Sequence, residues 1–333
     1  MTSLGIDVSK DSLALALWQQ GQVVTVASVP NTPEGWAQLP TRVRAPGGAG
    51  ATTSVAVVLE PTGGYELGGA LWAHQHGWQV HRPNPRLVRD WAKGEGHRAK
   101  SDRLDAKVLA RYGAKQQPPV WQPLLSHVSE LEAWLRRRDD VTGLLQQERN
   151  RQQQITVRPG MHREVPASVE RVIGVLEEEL RQIEQAIADH LAQHPDLAQG
   201  RARLLTVPGL GQQNVLPVLV LLCRWQTLTA GQGESKGLVA DAGLDPQPYE
   251  SGTSVKKPAP ISRMGERNVR RLLYMGALGA TRGDNPARAF YQRLVGRGKA
   301  KKLALVAAAR KILIWAWAVF QAGTVFDPAK LVA

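Results

Sequence analysis

The segment Ser54–Leu59 runs Ser-Val-Ala-Val-Val-Leu and ends at Glu60-Pro61-Thr62-Gly63-Gly64. An unbroken apolar run of strand length suits a strand covered on both faces, and parallel central strands in layered α/β folds are covered in this way. The segments before it set the rest of the pattern. Leu4–Val8 reads as a strand, Leu13–Trp18 alternates, Gln19-Gln20-Gly21-Gln22 supplies a turn, and Val23–Ser28 alternates again. Thr32-Pro33-Glu34 is a helix start with proline at the first helical position. A helix is expected from about Tyr65 to His76, a short strand at Trp78–Arg82, and a further helix beginning at Asp102. Three strands, helix, strand, helix, strand, helix is the order of a ribonuclease-H-like α/β domain.

Four carboxylates stand out against that frame. Asp7 interrupts the apolar strand Leu4–Val8, and Glu60 closes the apolar run. Asp102 and Asp105 are three apart at a helix start and share a face. In the expected arrangement Asp7 lies on the central strand and Glu60 ends the strand beside it. The helix then brings Asp102 and Asp105 across the sheet to the same edge. Such a set can hold hard Mg²⁺, two ions clamped roughly 4 Å apart over one phosphate. Each acid also has a plainer reading: Asp102 and Asp105 as helix N-cap and first-turn charge, Glu60 as an ordinary strand-end residue, Asp7 as a satisfied buried acid.

Past about Pro118 the chain is helical and polar. Ser168 is a plausible cap for a helix carrying Val169, Val172, Leu176, Leu180, Ile183 and Ile187 at spacings of three and four. That narrow seam suits an antiparallel hairpin or coiled coil, with Val128, Leu131, Leu135 and Leu145 as its partner and Gln152–Gly160 as the tip. From about Arg201, Pro208-Gly209-Leu210-Gly211 leads into an apolar helix over Asn214–Leu222. This is the turn of a helix-hairpin-helix unit. Backbone N–H groups at Gly209 and Gly211 could hold a DNA phosphate, or the turn could simply join two helices. The expected regions are 1–117, 118–199 and 200–333.

Charge enters next. Lys and Arg total 42 against 29 Asp and Glu, a formal charge of +13. A surplus of that size points to a polyanion, nucleic acid first. The basic residues placed to meet it are Lys10, Arg98 and Lys100 in the first region, and Lys256, Lys257, Arg263, Arg267, Arg270 and Arg271 in the third. A solvated face is the plainer alternative for each. Cys223 is the single cysteine, which excludes an intramolecular disulfide and a thiolate zinc cluster; its apolar setting suits a buried thiol. No secretory pattern opens the chain. The apolar stretch Ile312 to Phe326 is shorter than the roughly 20 residues of a membrane helix and reads as a buried helix ending near Gly323. A cytoplasmic protein without a membrane partner is expected.

Taken together, Gly5-Ile6-Asp7-Val8-Ser9-Lys10, Glu60-Pro61-Thr62-Gly63-Gly64-Tyr65 and Lys100-Ser101-Asp102-Arg103-Leu104-Asp105-Ala106 resemble the insertion-sequence transposases of the DEDD, IS-one-ten type, also called bridge-RNA-guided recombinases. In the third region the resemblance rests on Pro208-Gly209-Leu210-Gly211, Ala242-Gly243-Leu244-Asp245-Pro246 with Ser251-Gly252, Ile261-Ser262-Arg263-Met264-Gly265, and Arg270-Arg271-Leu272-Leu273. It implies a RuvC-like domain, a coiled-coil middle and a mostly helical C-terminal transposase domain. It implies Asp7, Glu60, Asp102 and Asp105 as a metal-binding catalytic tetrad. It also implies a C-terminal serine nucleophile that becomes linked to a DNA 5′ end, Ser251 by position, with Ser254 as the alternative. The partners implied are target and donor DNA, a structured non-coding guide RNA, and further copies of the chain. These would form a tetramer whose sites combine one subunit's acids with another's serine. A hydrolytic RuvC-like structure-specific nuclease, such as a junction resolvase, is the competing function.

Overall fold

The computed structural model describes residues 2–43, 55–96, 102–157, 162, 164–251, 255–257 and 259–332; at 102–104, 249–251, 255–257 and 331–332 it describes the backbone alone. Packing divides the chain into two compact units, Met1–Pro123 and Leu124–Ala333.

The first unit is a mixed α/β layer structure. Its strands are β1 (Ser3–Val8), β2 (Ser12–Gln19) and β3 (Gln22–Pro30), then β4 (Ala56–Leu59) and β5 (Gln79–His81). They form a five-stranded sheet in the order β3-β2-β1-β4-β5. β1 pairs antiparallel with β2 and parallel with β4, and β4 pairs parallel with β5. The helices are α1 (Pro33–Trp36), α2 (Leu39–Val43), α3 (Leu67–Gln75), α4 (Pro85–Gly94) and α5 (Asp102–Gln116). Thr32 caps α1 by accepting from the Gly35 N–H, with Pro33 at the first position as expected. The short α2 and the well-formed α4 go beyond the elements expected from the sequence. α4 is announced by Asn84, whose side chain accepts from the Arg86 N–H ahead of the proline start.

Strand parity divides the core. Leu4, Ile6 and Val8 face one side with Val57, Leu59, Val80, Ala70 and Ala73. Val58 belongs to the opposite side, with Val88, Ala92, Val108, Leu109 and Tyr112 from α4 and α5. All four residues of β4 are buried, which is what an uninterrupted apolar strand requires.

The second unit is mostly helical. α6 (Ser126–Thr156) and α7 (Glu164–Gln193) pack as an antiparallel pair, followed by α8 (Pro195–Leu204), α9 (Val215–Leu228) and α10 (Ser235–Asp241). A small hairpin of β6 (Tyr249–Ser251) and β7 (Val255–Lys257) precedes α11 (Arg267–Ala280), α12 (Pro286–Gly296) and α13 (Lys301–Ala322). α7 starts at Glu164, so Ser168 lies inside the helix and is not its cap. Val172 is 43% exposed while Ile173 is buried. The seam is therefore Val169, Ile173, Leu176, Leu180, Ile183 and Ile187, with Ile173 in place of Val172, a helical stripe whose phase two adjacent apolar residues make ambiguous in the sequence. The α6–α7 pair also shares a core with the later helices. Leu131, Leu135, Ile183 and Ile187 belong to one cluster with Leu204, Leu219, Leu222 and Ile312.

α13 corrects the length assigned to the C-terminal apolar stretch. It begins at Lys301, runs for 22 residues, and is long and apolar enough to cross a membrane by composition. Ten of its residues are buried, among them Ile312, Leu313, Trp315 and Trp317, and it ends on left-handed Gly323. That burial is the signature of a core helix.

Candidate active site

The acidic site is built on the sheet face that carries α5. A Cβ placed on Gly5 would collide with the Ala106 carbonyl and the Ala110 amide, so the helix backbone lies directly on β1. Gly113 lies correspondingly against Val58 and Ser3. The helix thus runs antiparallel to β1, with Gly113 over Ser3 and Ala106 over Gly5. Its first turn, where Asp102 and Asp105 sit, extends toward Asp7. Opposite Asp7 and Gly5 on β2 stand Ala14 and Ala16, small enough to admit the helix.

Asp7 shares the face of Gly5 because side chains alternate along a strand. In the β1/β4 register Ile6 lies beside Leu59, which sets Asp7 level with Glu60, one strand spacing of about 4.8 Å away. Val58 faces α5, and so does Glu60 two residues on. Asp7, Glu60 and the first turn of α5 therefore meet at one end of one sheet face. Asp7 and Asp105 are half-buried, and the Glu60 side chain is 20% exposed. The Asp102 backbone opens α5, while its side chain lies outside the described residues, as do Arg98 and Lys100 entirely. Lys10 is exposed, three residues after Asp7.

Three residues that the sequence pattern does not single out hold this end together. The buried Glu66 carboxylate accepts from the Thr62 and Gly64 amides, both at 3.0 Å, and pairs with Arg82 at 2.5 Å. It thereby fixes the loop that leaves Glu60. Burial works to raise its pKa, but the Thr62 amide, the Arg82 charge and the Gly64 amide outweigh it and hold the carboxyl below its ordinary value. Asn31 donates to the carbonyls of Ser9 and Tyr65, each at 3.0 Å, and accepts from the Trp36 indole at 2.9 Å. One side chain thus joins the loop after Asp7 to the loop after Glu60. Arg89 on α4 approaches Glu60 at 3.7 Å.

In the second unit Ser251 ends β6 and pairs with Val255. The side chains of Ser251, Lys256 and Lys257 lie outside the described residues, and Ser254 lies outside them altogether. The arm that carries them is anchored below. Pro246 bridges to Ile261, the Gln247 N–H donates to Pro260 at 2.7 Å, and the Ser262 N–H donates to Asp245 at 2.9 Å. Gly243, at a φ of 68°, packs on the amides of Met264 and Gly265. Arg270 donates to the carbonyls of Ala242 and Gly265, and burial first, then the charges of Arg263 and Arg267, lowers its pKa. Its guanidinium is thus engaged in closing the base of the arm. Arg263, Arg267 and Arg271 are exposed, Arg271 donating to Asn268 at 2.7 Å.

The Pro208–Gly211 turn has a packing role. Gly209, at a φ of 94°, rests on Gly276 and Ile312, and a Cβ on Gly276 would meet the Gly209 carbonyl. Buried Asn214 accepts from the Gly211 N–H at 2.7 Å and donates to the Gly209 carbonyl at 2.9 Å. The Leu210 N–H is used by Val207. The Leu210 and Gly211 amides are thus satisfied within the turn, and Gly209, with its positive φ and its close approach to Gly276 and Ile312, has a structural reason to be a glycine.

Comparison with known proteins covers most of the chain. A DEDD-type transposase model matches residues 4–157, and the model described as "Transposase IS116/IS110/IS902 family" matches residues 201–292. Pilin gene-inverting proteins of Moraxella lacunata and Moraxella bovis are each 30% identical over 336 aligned positions, covering 98% of this chain and 98% of theirs. An uncharacterized 42 kDa protein of insertion element IS900 from Mycobacterium paratuberculosis is 26% identical, over 62% of this chain and 51% of its own length.

Proposed function

The chain belongs to the IS116/IS110/IS902 family of transposases and is a DNA recombinase of that family, and from that premise we propose how its residues divide the work. The first unit is a ribonuclease-H-like catalytic domain. Its strand order supports this, with two parallel strands, one carrying Asp7 near its end and the other leading into Glu60, beside a helix that starts at Asp102. The observation that carries the reading is the convergence of Asp7, Glu60 and the Asp105 turn at one end of one sheet face.

The family is one of metal-dependent enzymes, and the donor set fits a hard divalent ion, since all four expected ligands are carboxylates. Asp7, Glu60, Asp102 and Asp105 would hold Mg²⁺, two ions in a complete site. When bound, the ions supply charge stabilisation at the scissile phosphate. Glu66, Arg82 and Asn31 keep the two strand-end loops in place. Arg89 balances the Glu60 charge.

Ser251 is the nucleophile. Its Oγ gives up its proton and attacks the phosphorus, the P–O bond to the departing 3′ oxygen breaks, and that oxygen takes up a proton in its place. The DNA 5′ end is left as a phosphoserine ester. The ester keeps the phosphodiester energy, so a 3′ hydroxyl of the recombining strand can attack it and release the serine without ATP. Arg263, Arg267, Arg271, Lys256 and Lys257 contact backbone phosphates, which positions DNA without reading sequence. Sequence is read by a structured guide RNA that pairs with target and donor DNA, a division of labour known for RNA-guided nucleases. The complete enzyme is a homo-tetramer. DNA inversion, the activity named for the Moraxella relatives, is one outcome of this chemistry.

The test is a protein–DNA adduct. The full chain, the non-coding RNA of its element, element-end and target DNA and Mg²⁺ are quenched in detergent and resolved with and without protease. A protease-sensitive adduct is expected, lost in Ser251→Ala and in Asp7→Asn. Cleaved DNA without any adduct would instead establish a hydrolytic nuclease, and full recombination by Ser251→Ala would remove that serine from the role.

A further inference from the structure

The base of the α6–α7 hairpin holds a cluster of side chains that the recombination chemistry does not use. His127 and Glu130 lie on the first turns of α6, His190 near the end of α7, and His194 and Asp196 at the start of α8. Three histidines so close on a basic protein have no evident role in binding a phosphate backbone.

The hydrogen bonds fix the tautomer at the centre of the cluster. His190 is buried, and its Nε2 lies 2.7 Å from the His127 carbonyl. A carbonyl only accepts, so Nε2 carries the hydrogen and the Nδ1 of the neutral ring presents a lone pair. That lone pair faces the Glu130 carboxylate at 3.8 Å. The two groups stand beyond hydrogen-bond length, which leaves room for an ion between them. His194 completes the triangle, since one ligand atom from each of Glu130, His190 and His194 lies within 4.8 Å of the others. His127 stands behind them. Its ring stacks on His194 at 4.9 Å, and its Nε2 is held by Asp196 at 2.9 Å.

We propose that Glu130, His190 and His194 form a binding site for a zinc-class divalent cation that clips the base of the hairpin. The histidine whose far nitrogen donates to a backbone carbonyl is the arrangement that orients metal-ligating imidazoles. Ligand atoms about 2.0–2.1 Å from a tetrahedral ion stand about 3.4 Å from one another. The cluster therefore has to contract slightly. Glu130 can do this, because its side chain is 59% exposed. Two imidazoles and a carboxylate select zinc, cobalt or nickel over Mg²⁺, which prefers oxygen alone. The ion ties the first turn of α6 to the α7–α8 corner, so its role is to stiffen the hairpin.

The experiment uses the untagged full-length chain, stripped with chelator and kept in millimolar Mg²⁺ to occupy all-oxygen sites. Cobalt(II) is titrated in, its visible ligand-field absorption is followed, and the bound metal is counted by atomic emission. One equivalent with intense absorption, displaced by zinc, is expected, together with a rise in unfolding temperature on adding zinc. Glu130→Gln and His194→Ala, both at accessible positions, are expected to weaken cobalt binding at least about 100-fold while keeping the helical circular dichroism of the wild type. Asp7→Asn is expected to leave the cobalt signal unchanged. Absence of cobalt absorption from the wild type, or unaltered binding in both Glu130→Gln and His194→Ala, would overturn the proposal.

Discussion

Glu66 shows what a single carboxylate does near the acidic site. It is buried, with its oxygens on the Thr62 and Gly64 amides and on Arg82. Because its folded pKa lies below the ordinary 4.5, it contributes stability that is present above that value and is lost as pH falls through the lowered folded pKa. Urea unfolding between pH 7 and pH 3 should show this loss in the wild type and less of it in Glu66→Gln, whose amide cannot titrate. At pH 7 the same substitution is expected to cost about 2–3 kcal/mol, the scale of a charged hydrogen-bond network left half made. Neither Glu66 nor Asn31 is legible in the sequence. Their value comes from partners such as Tyr65, 34 residues from Asn31, and periodicity carries no information about such pairs. Cys223 is legible in part, since its apolar neighbours announce burial and the structure leaves it half-buried against the helical core. Desolvation first, with the Asp196 charge assisting, pushes its thiol up to about 12. Thiol reagents at pH 8 should therefore modify native Cys223 far more slowly than the urea-unfolded chain.

Elements meet at glycines, and the two units use the same device. Gly5 lets α5 lie on β1, and Gly276 lets α11 touch the Gly209 turn. A methyl at either place forces backbone apart. Gly276→Ala should lower stability by about 1–3 kcal/mol, the usual cost of overpacking. Gly143, inside α6, has nothing within 4 Å of a built Cβ. Gly143→Ala should therefore raise stability by about 0.5–1 kcal/mol through helix propensity alone. Parallel denaturation curves decide the matter, and a neutral Gly276→Ala would mean that the turn and α11 do not bear on each other. The strand order of the first unit is readable because each strand has its own alternation or apolar run between turn residues. The helix phase of α7 is not, because Val172 and Ile173 are both apolar and only the partner helix decides which is buried. α4 escapes the strand-and-helix pattern read from the sequence although Asn84-Pro85 is a start signal of the same kind as Thr32-Pro33.

At the scale of the molecule, the acids and the serine belong to different units, Met1–Pro123 and Leu124–Ala333. The candidate acids are legible to different degrees, since Asp7 interrupts an apolar strand and Glu60 closes an apolar run, whereas Asp102 and Asp105 open a helix, where acids are also ordinary caps. Ser251 is legible only through family resemblance, since a serine before glycine is by composition a turn. If each site combines the acids of one copy with the serine of another, two inactive variants can rescue one another. Asp7→Asn and Ser251→Ala should each be inactive alone. Mixed with the wild-type DNA and RNA requirements met, they form some sites that pair an intact acidic unit with an intact Ser251. Recombination by the mixture, at a fraction of the wild-type rate and peaking near equal proportions, is the expected outcome. In such a mixture every adduct must form on the Asp7→Asn chain, which alone retains the serine, and a mass tag on one variant reads this directly. A mixture as inactive as its components, from chains shown to co-assemble, would place acids and serine of each site in the same copy.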